Sequence, residues 1–152
     1  MNYIKLQQEL LKKFAKNQLA FTSYARTEEE IFLTDGKVAY YIPICYWVVN
    51  AEALGLTTVS NKLPEFLKER SHNHLHYKYD IKEGKDTLIC FESSEDNTDF
   101  QVFVDKKLFD TVVDKYDEYL ITCDGYSKPV FCTNPNTDEV VAVIMPVLRR
   151  QV

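Results

Sequence analysis

Glycine is scarce in this chain, with four among 152 residues, and that scarcity removes whole classes of chemistry. There is no Gly-x-x-x-x-Gly-Lys to cradle phosphates, no Gly-x-Gly-x-x-Gly for a dinucleotide and no Gly-x-Ser-x-Gly elbow for a nucleophilic serine. Long apolar runs are missing too: no stretch approaches the ~18 residues that a membrane-spanning helix needs, and Met1-Asn2-Tyr3-Ile4-Lys5 does not begin like a secretory leader. The expectation is a cytoplasmic protein with no membrane association. Cys45, Cys90, Cys123 and Cys132 form no Cys-x-x-Cys pair and sit in apolar or β-rich runs, which predicts small reduced hydrophobes in a core rather than redox or zinc ligands. Cys123, beside Asp124 and near Asp117 and Glu118, has surroundings that oppose a thiolate.

Positive charge is also short. Eighteen basic against twenty-three acidic residues give a net charge of −5, which aids solubility and offers no global attraction to nucleic acid, so DNA binding would need a local basic stripe. Acidic runs such as Glu28-Glu29-Glu30 and Glu95-Asp96 read as solvated loop surfaces, and nothing in them marks a raised pKa. A non-enzymatic protein without a cofactor is expected.

What remains is material for one domain. A chain of 152 residues, 45% hydrophobic, buries roughly two-thirds of its unfolded surface. From Asn2 to Lys16, Tyr3, Leu6, Leu10, Leu11 and Phe14 recur at three- and four-residue spacing and predict an amphipathic helix with an inward side. Lys5, Lys12 and Lys16 fall together on its opposite side at ~100° per residue, either an ordinary solvated face or an anion-binding one. Leu19 to Ala25 and Glu30 to Thr34 have strand character, and Asp35-Gly36 predicts a hairpin into Val38–Ile42. The apolar run Ile44 to Val49 leaves a buried strand open, and Asn50 to Gly55 suggests a helical turn. A helix reaches Arg70 from a cap at Ser60 or Asn61, with Pro64 in its first turn and Leu63, Phe66 and Leu67 facing inward. Leu75, Tyr77, Tyr79 and Ile81 alternate with His74, His76, Lys78 and Asp80, the pattern of a strand with one buried face. A turn at Glu83–Asp86 leads into a strand over Thr87–Glu92, and Ser93 to Asp99 reads as the most mobile loop. Most of the ten tyrosines and nine phenylalanines are expected in the core rather than as a base-stacking platform.

The last third carries the clearest architecture: Phe100–Asp105 as a strand, Lys106–Tyr116 as a helix, then strands over Glu118–Asp124, Pro129–Thr133 and Glu139–Pro146. This βαβββ order, with a front that reads helix, strand, strand, strand, predicts an α+β fold of antiparallel sheets with two or three helices rather than a doubly wound sheet. The passages Val102–Asp110, Tyr119–Thr122, Ser127-Lys128-Pro129-Val130 and Val143-Ile144-Met145-Pro146-Val147-Leu148-Arg149 resemble the closing half of a bacterial sliding-clamp domain. The resemblance covers about a third of the chain and implies clamp-like βαβββ repeats within one globular domain spanning 1–152. It further implies a protein working by protein or DNA contact in DNA metabolism, with replication or repair proteins and duplex DNA as partners. By the same resemblance, Lys5, Lys12 and Lys16 face DNA, while Met145, Pro146 and Val147 line a pocket for partner peptides. With length for one domain, a closed ring would require several copies. The second helix mixes Lys106, Lys107 and Lys115 with Asp110, Asp114 and Asp117 and forms no clear basic stripe.

Two other readings stay open. One is a small intracellular binding or inhibitory protein whose acidic surface engages a basic partner. The other is a metal site at His72-x-His74-x-His76, which holds all three histidines of the chain. On an extended strand they share one face at about 6–7 Å spacing, with Glu69 or Asp80 as added oxygen donors. A flat row of this kind does not converge readily on one ion.

Overall fold

Asn2 starts the leading helix α1 (Tyr3–Ala15) by accepting the Lys5 amide on its side-chain oxygen at 2.9 Å. In the computed structural model, which describes residues 1–19, 22–69, 73–93, 99–113 and 119–149, α1 buries Leu6, Gln7 and Leu10. Leu11 and Phe14, expected on the inward side, are instead 45% and 47% exposed. They flank the buried strip of Leu6, Gln7 and Leu10.

A meander follows: β1 (Ser23–Arg26), β2 (Glu30–Thr34) and β3 (Val38–Pro43), each antiparallel to the next. Its hairpin turn works through Asp35, whose carboxylate accepts the amides of Lys37 and Val38, and through Gly36 at φ 85°, a conformation that side chains disfavour. After Pro43 the apolar run becomes a 3-10 turn at Ile44–Tyr46 rather than a strand, and Cys45, expected in the core, is exposed. The chain then turns through Asn50 to Leu54 and adds β4 (Thr57–Thr58), the one parallel neighbour among the described residues, at the outer edge of β1. Helix α2 (Lys62–Leu67) follows, with Pro64 buried, while Phe66 lies outside the described side chains.

Strands β5 (Leu75–Glu83), β6 (Asp86–Ser93) and β7 (Gln101–Asp105) form a separate antiparallel sheet. Helix α3 (Lys106–Val112) starts on Asp105, whose carboxylate accepts the amides of Lys107 and Leu108. Strands β8 (Leu120–Thr122), β9 (Val130–Asn134) and β10 (Glu139–Ile144) close the chain. The βαβββ order is therefore present, in an α+β fold with three helices among the described residues. The loop expected to be most mobile falls largely on residues 94–98, outside the described residues, as does the expected helix extension over 114–116.

The larger sheet runs β4-β1-β2-β3-β10-β9-β8, so the front meander and the rear meander meet through the antiparallel pairing of their last strands. Helices α1 and α3, each preceding one meander, contribute to the same core with Leu6, Leu10 and Val112. That core lies between one face of the large sheet (Ile31, Leu33, Val38, Ile42, Val130, Cys132, Ile144) and the small sheet (Ile89, Phe91, Val102, Val104). The opposite face of the large sheet carries Phe32, Ala39, Tyr41, Phe131 and Val143, packed against Leu63 and Leu67 of α2. Both faces of β3 are covered, which is why Val38–Ile42 is an unbroken buried run rather than an alternating one. A bulge between Val140 and Ala142 lets Val141 and Ala142, adjacent in sequence, both join the main core.

Strand β5 departs from its sequence pattern. Leu75 is buried, but Tyr77 and Tyr79 are 63% and 38% exposed. A bulge between them breaks the alternation, and β5 is the outer strand of its sheet, with little packed over it. Among the described residues no helix is long and apolar enough to cross a membrane.

Candidate functional site

The C-terminal tail decides where the most prominent groove lies. Beyond β10, the Met145 amide donates to the Lys37 carbonyl at 2.8 Å and the Val147 amide to the Phe103 carbonyl at 2.7 Å, so the tail leaves one sheet and is stitched beside β7 of the other. Arg149 is held at its end by an ion pair to Glu83 and by stacking 4.9 Å above the Phe103 ring. Between this tail, Tyr126 and the outward face of the small sheet opens a groove of about 710 Å³. Its walls are aromatic and aliphatic, from Tyr79, Phe100, Phe103 and Val147, and its rim carries Glu92, Asp99 and Gln101.

The rim is electrostatically ordered. Lys78 bonds Glu92 at 2.6 Å, which holds the Glu92 carboxyl below the usual carboxylate range and raises the Lys78 ammonium. Cys90 lies buried beneath them, its sulfur donating to the Gln101 side-chain oxygen at 3.7 Å, and burial pushes its thiol up, an effect that the neighbouring Tyr79 opposes. Burial likewise raises Cys123 and pushes Cys132 up to about 12, so these three cysteines sit in the core as thiols. The groove has the chemistry to hold apolar side chains of an extended segment.

Of the tail residues read from the sequence, Val147 lines this groove, Pro146 is half-buried beside it, and Met145 is 45% exposed and tied to the β2–β3 turn. Tyr79, Phe100, Phe103 and Tyr126 escaped the sequence reading. Strand periodicity assigned Tyr79 to the core, and only the polar turn Gly125-Tyr126-Ser127 hinted that an aromatic ring there would face outward. Depressions of about 630 and 560 Å³ near Arg26 hold none of the sequence-selected residues.

Lys5, Lys12 and Lys16 are all exposed, on the side of α1 away from the core. Lys12 bonds Glu9 at 2.7 Å and thereby lowers the Glu9 carboxyl. On α3, Lys106 lies 3.5 Å from Asp80 and 3.7 Å from Asp110, and Lys107 lies 3.4 Å from Asp86, so both contact carboxylates. The exposed basic face belongs to α1.

His72 lies outside the described residues. His74 bridges to Thr122 of β8, whereas His76 is exposed on β5 opposite Glu92. Among the described residues no group of three His, Cys, Asp or Glu side chains is placed to hold a metal ion. Compared with protein-family models, curated proteins and solved structures, the chain matches none.

Proposed function

We propose that this protein is a non-enzymatic, clamp-like binding module that works by contact, taking a short apolar peptide segment in the groove along its C-terminal tail. The observation that carries this reading is the seating of Val147 against β7, which converts the end of the chain into one wall of an aromatic-lined groove of about 710 Å³. The occurrence of a helix followed by a three-stranded meander twice, joined through the last strands, supports the clamp-like part of the proposal. The partners are proteins of replication or repair, and the location is the cytoplasm. The solvent face of α1 supplies Lys5, Lys12 and Lys16 toward the phosphates of duplex DNA, an attraction independent of base sequence and weakened by salt.

The test separates the two contacts. A fluorescent peptide carrying two or three adjacent apolar anchors is expected to bind with an affinity that falls about tenfold in Val147→Asp, since one anchor's worth of packing is lost, while the fold is retained. Short duplex DNA is expected to bind at low salt and to lose affinity when Lys5, Lys12 and Lys16 are changed to Glu. Peptide affinity unmoved by Val147→Asp removes the groove from the proposal. DNA affinity indifferent to the three lysines removes the basic face.

A further inference from the structure

Five large apolar side chains stand exposed on two segments that are bonded to each other: Ile4, Leu11 and Phe14 on α1, and Tyr46 and Val48 on the turn after β3, each between 45% and 73% exposed. Gln7 ties the two segments together. Its oxygen accepts the Val48 amide at 2.8 Å and its nitrogen donates to the Tyr46 carbonyl at 2.7 Å, and on the helix surface Ile4 lies three residues before it and Leu11 four after. Ile4, Gln7, Leu11 and Phe14 thus follow the 3-4-3 spacing of a helix-packing seam, of which the chain itself buries only Gln7. Single exposed apolar residues are ordinary on any surface, whereas a contiguous group marks a contact.

We propose that this seam docks one amphipathic helix of a protein partner, apolar on its inner face and acidic along the edge that meets the lysines of α1. Shape argues for a helix, since anchors at 3-4 spacing beside a fixed turn suit the i, i+3, i+4, i+7 face of an amphipathic helix. Charge argues for acid. From Tyr3 to Lys16 the sequence has four lysines and one glutamate, although the whole chain carries −5. Lys12 and Lys5 come next to the seam, beyond Ala15 and Gln8 at ~100° per residue, and the one glutamate, Glu9, is already bonded to Lys12 at 2.7 Å. A second copy of this chain is the poorer occupant, because two α1 helices laid seam to seam bring lysine rows of the same sign together. The site is separate from the tail groove and shares only the lysine row with the DNA contact.

Two synthetic helical peptides are the probes, each added to the full chain. Both carry leucines at 3-4 spacing, one with glutamates and the other with lysines along the flanking edge. The glutamate peptide is expected to bind saturably, with backbone amide shifts centred on α1 and on residues 44–48. Leu11→Ser and Val48→Ser, both at exposed positions where the fold is retained, are each expected to weaken it roughly 3- to 10-fold, the worth of one partly buried apolar side chain. Lys5→Glu combined with Lys12→Glu is expected to weaken it as well and to strengthen the lysine peptide. Neither serine position belongs to the DNA contact or to the tail groove, so a failure here is distinct from a failure of either. The proposal is overturned if the glutamate peptide does not bind, if both serine variants leave its affinity unchanged so that charge alone holds it, if the lysine peptide binds the unaltered chain as tightly, or if the shifts map to the Val147 groove. It is equally overturned if sedimentation shows the chain pairing with itself in a way that Leu11→Ser abolishes.

Discussion

Gln7 is the one polar side chain of α1 that is buried, at 2% exposure, and each of its polar atoms is used. Its amide nitrogen donates to the Tyr3 carbonyl at 2.9 Å and the Tyr46 carbonyl at 2.7 Å, and its oxygen accepts the Val48 amide at 2.8 Å. A glutamine side chain thereby does what a neighbouring strand would do for the segment after Pro43, which explains why an apolar run stops as a 3-10 turn. The Tyr3 ring stacks on Tyr46 at 5.1 Å and closes the same contact. Gln7→Leu keeps the volume but strands the Tyr46 carbonyl and the Val48 amide, each unsatisfied group costing about 1–3 kcal/mol. The expected loss is about 2–3 kcal/mol in urea unfolding. A loss below ~0.5 kcal/mol, the size of an ordinary surface change, would show that solvent satisfies this segment without Gln7.

At the level of elements, legibility tracked how local the determining physics is. Helix α1, the Asp35-Gly36 hairpin and the rear βαβββ order were readable because caps, positive-φ turns and periodicity are encoded within a few residues. The faces of β5 were not, since the bulge between Tyr77 and Tyr79 and the strand's outer position are properties of its pairing with β6. The groove was only half readable: Val147 came from the resemblance of the tail, while Phe103 and Tyr79 reach it only because the tail crosses from one sheet to the other. Helix α3 shows the local kind of control. With seven residues it is too short to persist alone, and Asp105 satisfies two of its amides. Asp105→Ala is expected to cost about 1 kcal/mol, measured by urea unfolding, with Asp105→Asn recovering most of it. Equal losses in both variants would assign the effect to charge rather than to the cap.

For the molecule as a whole, the pairing of β3 with β10 determines whether the two meanders behave as separate units or as one. Ala39 opposite Val143 and Tyr40 opposite Ala142 place the last strands side by side at the centre of a seven-stranded sheet. Residues from α1, the front meander, the small sheet, α3 and the rear meander share one buried cluster. No surface divides them, so loss of packing at one end should be felt at the other. Trp47, the single tryptophan, packs against that cluster from the front half, whereas Val130 is fully buried in the rear half. Val130→Ala leaves a cavity and should cost about 2 kcal/mol. Because unfolding is cooperative when one core is shared, the Trp47 fluorescence transition is expected to move by the same amount as the far-ultraviolet circular dichroism transition, with unchanged slope. A Trp47 transition that stays in place while the circular dichroism transition shifts would mean that the front meander holds its own core and that the β3–β10 seam contributes little coupling.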